Sequence, residues 1–221
     1  MIEPLRLSLQ LATASSLILL ALGVPLAWVL ARRRFLGRRL LETVLLLPLT
    51  LPPTVLGFYL LQLLGAHGPL AAITGLTWAF SFPGLLVGSV LFSLPFALTA
   101  FREAFFALDE DWLAVASVFG ATRWQRWRMV ILPLTWPSLL SGVILAFAHT
   151  LGEFGVVLML GGNIPGRTQV VSTYLYDLVQ SLDLGGANRA ALTLLVTSFV
   201  LVYTARWCEE WGRARLQSGR A

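Results

Sequence analysis

The side chain best placed to do chemistry is Glu153, in the run His149-Thr150-Leu151-Gly152-Glu153-Phe154-Gly155. A carboxylate inside a long apolar stretch is expensive and normally faces protein or water rather than lipid. His149, one helical turn earlier, could partner it, and so could Arg167 beyond the span. Such a pair could serve as a gate contact that breaks on opening. The alternative is a purely structural carboxylate held by a donor. An ionised acid lining an anion path would repel the cargo, which favours the structural role. Little other chemistry is legible. The HExxH, GxSxG, Walker A and GxGxxG patterns do not occur. The two histidines, His67 and His149, are far apart, and the single Cys208 allows neither an intrachain disulfide nor a multi-Cys metal centre. The chain is therefore expected to lack a catalytic site, a metal site and a bound cofactor.

The elements that must position Glu153 are membrane spans. Of the 221 residues 57% are hydrophobic and 12% charged, where a soluble domain carries about 25% charged residues. Several apolar runs reach the roughly 20 residues a helix needs to cross the hydrocarbon. The net charge of +5 comes from 16 basic residues, all arginine. Most cluster between apolar runs: Arg32, Arg33, Arg34, Arg38 and Arg39; Arg102, Arg123, Arg126 and Arg128; Arg206, Arg213, Arg215 and Arg220. That is the pattern of cytoplasmic loops, not of a nucleic-acid-binding face. The expected fold is all-α and polytopic, with about five transmembrane helices plus short interfacial or re-entrant helices and cytoplasmic helices.

The first span is placed at about Leu5 to Ala31, retained rather than cleaved, with its N-terminus outside. The second runs from about Leu40 to Leu64. It contains Pro48, Pro52 and Pro53, which are expected to kink or unwind it, either beside a pathway or as a tolerated bend. An interfacial piece from Gly65 to about Ser81 leads to the third span, about Phe82 to Phe101, where Gly84 and Gly88 form a small-xxx-small pair suited to close packing. The fourth span begins after Pro133 and Pro137 and continues to about Leu160. The outer loop with Asn163, Pro165, Gly166, Arg167 and Thr168 follows, then a helix over Val170 to Leu182 too short to cross. The last span, about Ala187 to Trp207, puts the C-terminus in the cytoplasm. Gly152 and Gly155 either soften the fourth span or allow close packing, the latter being favoured.

The long cytoplasmic loop supplies the second candidate site. Residues Asp111 to Phe119 suit an amphipathic helix that Gly120 ends in a left-handed turn, with a second helical piece from about Thr122 to Val130. Such an elbow offers Val115, Val118 and Phe119 to a groove on a partner, or else rests on lipid headgroups through its arginines.

At this loop a resemblance becomes specific. Permease subunits of binding-protein-dependent ABC importers carry EAA, three residues, Gly, nine residues, I-x-L-P. Here Gly120 is followed after nine residues by Val130, Ile131, Leu132 and Pro133, and the leading triplet reads Ala114, Val115, Ala116, without the glutamate. LLLPLTLPPTVLGFYLL, LAFAHTLGEFGVVLMLGGNIPGRTQ and TYLYDLVQ resemble the molybdate permeases of that family, and sulfate and tungstate permeases carry segments related to GNIPGRTQ.

The resemblance implies a permease domain over residues 5–208 with a cytoplasmic tail at 209–221, in the cell membrane. It implies a homodimer enclosing the path of an oxyanion, an external binding protein that delivers it, and two ATPase subunits beneath that hold ATP and Mg. Ala114, Val115, Ala116, Val118, Phe119, Gly120, Ala121, Leu132 and Pro133 would form the ATPase-coupling loop. Pathway or gate candidates are Glu153, Gly152, Gly155, Asn163, Arg167, Pro52 and Pro53. The rival class, an ion-coupled secondary transporter, would show more spans or repeats and intramembrane charge relays.

Overall fold

The computed structural model describes residues 1–218, with side chains described as far as Gly212. Arg220 lies outside the described residues, and the side chains of Arg213 and Arg215 are not described either. Among the described residues every regular element is helical. Five helical segments are long and apolar enough to cross a membrane: Ile2–Arg32, Pro53–Thr74, Phe82–Phe106, Arg123–Gly152 and Leu184–Gly212.

Helix α1 (Ile2–Arg32) ends on the arginine cluster, and Gly37 (φ 86°) turns the chain into α2 (Arg38–Thr50). Pro52 and Pro53 interrupt the second span as expected, whereas Pro48 is carried inside α2, and the segment long and apolar enough to cross begins at Pro53 rather than Leu40. The chain is extended at Leu51 and Pro52, and α3 (Pro53–Leu64) starts afresh with Pro53 in its first turn, where a missing N–H costs nothing. The short α4 (Pro69–Thr74) leads to α5 (Phe82–Phe106), capped by the Ser81 hydroxyl. An elbow then holds α6 (Glu110–Val118) and α7 (Arg123–Arg126). After it come α8 (Leu132–Gly152), α9 (Gly155–Gly161), the short α10 (Val171–Gln180) and α11 (Leu184–Ser218).

The core gathers where α1, α5 and α8 meet: Leu19, Ala27, Leu30, Leu98, Phe101, Phe105, Leu139 and Ala146 are all buried in one cluster. Small residues set the spacing. A Cβ on Gly23 would meet the Phe101 ring at 3.1 Å, and one on Gly142 would meet it at 2.9 Å. Elsewhere large apolar side chains face outward, as on α11, where Leu195, Phe199, Tyr203 and Trp207 are exposed. In lipid such a face is the expected exterior.

Three expectations need correction. The fourth span is not one helix to Leu160: it breaks at Glu153 and Phe154 and restarts as α9. Gly84 and Gly88 do not act as a pair. A Cβ on Gly88 would press on Val156 and Leu160 of α9 at 3.0 Å, whereas Gly84 sits against the Trp78 carbonyl of the preceding loop. A Cβ on Gly152 would meet nothing within 4 Å, so close packing belongs to Gly155 alone.

Candidate functional site

Two regions gather the candidate residues. The first lies where two interrupted helices face one another. The break before α3 and the break before α9 are in contact: a Cβ on Gly155 would come within 2.7 Å of Pro53 Cβ, and one on Gly57 within 2.8 Å of Met159 Cβ. Between them opens a pocket lined by Pro53, Thr54, Phe92, His149, Glu153 and Phe154, together with Ala148, Gly152 and Gly155. Four of the seven pathway candidates, Pro53, Gly152, Glu153 and Gly155, therefore share one pocket. Pro52 is the residue that introduces α3.

Glu153 is 3% exposed. Its backbone is looked after: its carbonyl accepts from Ser172 Oγ of α10 at 2.5 Å, which satisfies a group that the helix break frees. Its side chain is not. Among the described residues neither carboxylate oxygen meets full hydrogen-bonding geometry, and the donor that stands beside the carboxylate is the Ser89 hydroxyl. The expected partners are therefore not the real ones. His149 Nδ1 instead shares a hydrogen bond with Ser93 Oγ at 3.0 Å, and its ring lies against Phe96 (3.9 Å) and Phe92 (5.0 Å). Ser93 also joins Thr150 at 2.9 Å. The turn spacing that suggested a Glu153–His149 pair fails because the helix ends between them.

Asn163 and Arg167 lie apart from this pocket, on the loop between α9 and α10. Asn163, in a left-handed conformation (φ 54°), donates from Nδ2 to both carboxylate oxygens of Asp177 at 2.7 Å, and Gln169 adds a bond at 2.8 Å. Thr168, fully buried, donates to Gly161 O at 2.6 Å and accepts from Ile164 N at 2.9 Å. The loop is thus built rather than slack, and it leaves Arg167 exposed. Sequence reasoning missed Asp177 as its organiser. The signal was present, an acid on a short amphipathic helix facing a loop rich in amides.

The second region is the elbow formed by α6 and α7. Helix α6 is capped by Asp109, whose side chain accepts from Asp111 N at 3.0 Å. It ends in a complete left-handed cap: Gly120 (φ 76°) donates to Ser117 O, and Ala121 N donates to Ala116 O, both at 3.0 Å. The one-turn α7 then starts with a reciprocal Thr122–Gln125 capping box and widens into a π-helical turn, Trp127–Ile131, that feeds α8. Arg126 closes the elbow by donating to Ser117 Oγ at 2.8 Å. At the tip Val118 and Phe119 are each 86% exposed, and Val115 is half exposed. Leu132 and Pro133 open α8, so they anchor the elbow rather than form its tip. Ala114, Val115 and Ala116 lie within α6.

An all-helical bundle with five segments able to cross a membrane, two of them next to helix breaks, defines a class, the multi-pass membrane proteins. The chain belongs to the family of binding-protein-dependent transport system inner membrane components, whose family model matches residues 23–210.

It is 44% identical over 203 residues to the molybdenum transport system permease protein ModB of Azotobacter vinelandii, covering 90% of both chains. It is 36% identical over 223 residues to ModB of Escherichia coli K12, covering 99% of this chain and 96% of the relative. The sulfate transport system permease protein CysT of E. coli K12 is 34% identical over 185 residues, 82% of this chain and 67% of the relative. Among solved structures, a bacterial alginate ABC transporter in complex with a pentasaccharide-bound periplasmic protein matches in fold. Its TM-score is 0.73 at 22% identity, over 92% of this chain and 76% of that one. The chain is thus a multi-pass membrane permease component.

Proposed function

We propose that this chain is the permease subunit of an ATP-driven importer for an oxyanion, with molybdate as the cargo. Residues 5–208 form the permease domain and 209–221 a cytoplasmic tail. Two copies enclose the path, an external binding protein delivers the anion, and two ATPase subunits carrying ATP and Mg dock on the cytoplasmic side. The N-terminus is outside and the C-terminus inside, because the arginine clusters then all face the cytoplasm.

The observation that carries this reading is the elbow, a rigid protrusion whose tip presents Val118 and Phe119 with no partner in the chain's own core. A helix tip of this kind suits insertion into a groove. Closure of the ATPases would move the elbows, and the facing breaks at Pro53 and Gly155 give the bundle a place to yield, so that the path alternates between two states. Molybdate is preferred because the molybdenum permeases match over nearly their whole length at up to 44% identity, whereas the sulfate permease of E. coli K12 matches over 67% of its length. Sulfate and tungstate are the second reading.

The test is uptake of labelled molybdate into vesicles holding the permease, with ATPase and binding protein added or omitted, and with sulfate or tungstate as competitors. Uptake that requires both partners is expected. Uptake that persists without the ATPase would exclude the importer mechanism and favour an ion-coupled transporter.

A further inference from the structure

The elbow is held at its base by Trp28, Arg32 and Phe105, which lie outside the coupling motif, together with Trp127 within it. Its two stems are the end of α5 and the π-helical turn. Phe105 belongs to the first and Trp127 to the second, and both rings pack on the same side chain, Trp28 of α1. The Trp28 and Phe105 centroids are 5.2 Å apart, edge to face, and those of Trp28 and Trp127 are 4.9 Å apart. Phe105 and Trp127 also meet directly at 6.0 Å.

One turn further along α1, Arg32 completes the arrangement. Its Nη2 donates to Phe105 O at 2.9 Å and to Leu108 O at 2.8 Å, and its Nη1 reaches Glu110 Oε1 at 3.3 Å. The guanidinium also stands over the Trp28 ring at 5.7 Å. It therefore caps the carbonyls that α5 leaves free and grips the linker into α6. The Arg32 side chain is 16% exposed and that of Glu110 is 88% exposed. Ion pairs with so exposed a partner contribute little, so the carbonyl bonds are the ones that hold.

We propose that Arg32 and Trp28 make the end of α1 a rigid base for the elbow, so that movement imposed on α6 is passed to α1, α5 and α8 together. Arg32 is a positioning residue in this scheme and touches no cargo. The π-helical turn fits that role, since such turns tend to mark places where a helix meets a functional demand. The proposal rests on the importer reading and adds to it the element that converts elbow movement into bundle movement.

The test uses the assembled complex of permease, ATPase and binding protein in vesicles and reads ATP hydrolysed per molybdate imported. R32K keeps the charge, but its ammonium ends one bond short of the Nη2 that reaches Phe105 O and Leu108 O, and it has no second nitrogen for Glu110. R32K and R32Q are expected to raise the ratio about tenfold, a coupling loss within the usual range for linked sites. R33Q removes the same charge from the exposed neighbouring residue and is expected to leave the ratio unaltered.

An unchanged ratio in both Arg32 variants, including a proportional fall of hydrolysis and uptake, would overturn the proposal and leave a role in assembly only. If neither variant assembles, W28C/W127C on a C208S background decides. Uptake should be low in the uncrosslinked double variant, which has lost the ring packing, and a short thiol crosslink that rejoins the two elements should restore it; uptake that the crosslink leaves unchanged or lowers would refute the proposal. Failure of the importer reading would appear separately, as ATPase-independent uptake by the unaltered chain.

Discussion

Gly155 and Pro53 abut so closely that a Cβ added to the glycine would lie 2.7 Å from the proline's Cβ. The contact joins the first turns of α3 and α9, so two interrupted spans are interrupted against each other. G155V should therefore force the helices apart, at about 1–3 kcal/mol for overpacking a close contact. Thermal unfolding in detergent should fall accordingly, and uptake with it. G152A is the matched control, because its added methyl meets nothing within 4 Å, and its melting temperature should be unchanged.

The tip of the elbow makes the opposite kind of prediction. Val118 and Phe119 are almost wholly exposed, so V118E or F119E should leave the melting temperature of the isolated permease within about 1 °C, as surface changes do. Co-purification with the ATPase should nevertheless fall by more than about tenfold, since apolar anchors that fill a pocket dominate docking energy.

At Gly120 the backbone, not the side-chain environment, is selective. Its φ of 76° lies in the left-handed region, and nothing stands within 4 Å of an added Cβ. G120A should lose about 1 kcal/mol from the backbone conformation alone. The loss should register as faster amide exchange over α6 and α7, with exchange in α5 and α8 unaltered.

The outer loop depends on Asp177. D177A would strand the amides of Asn163 and Gln169, and each buried donor left unmet costs about 1–3 kcal/mol. Proteolysis within the loop should accelerate. R167Q, on the same loop but exposed, should leave proteolysis unchanged, and a drop in binding-protein-stimulated uptake would assign its charge to docking or cargo.

Most of the architecture was legible because the bilayer imposes it. Apolar length, arginine clusters and proline positions locate the spans, and a glycine after an amphipathic run locates the elbow. The break at Glu153 was harder to see. Leu151 to Leu160 carries no proline, and the interruption is maintained by Ser172 from α10, a residue no local pattern connects to it. His149 misled for the same reason: helical spacing promised a partner one turn on, where the helix had already ended. The Arg32 clamp was hidden in plain composition, since an arginine at the end of a span reads as a topological anchor whether or not it also holds two carbonyls.

The N–H of Val171, at the start of α10, donates to Ser8 Oγ at 2.9 Å across a sequence separation of 163 residues. The opening turn of this helix is thus completed by a hydroxyl synthesised 163 residues earlier. At about 5–20 residues per second, Ser8 waits on the order of ten to thirty seconds in the membrane before its mate emerges. Until then the first span must be kept in place by its contacts with α5, so an early insertion error there would surface only later, as an outer face that never closes.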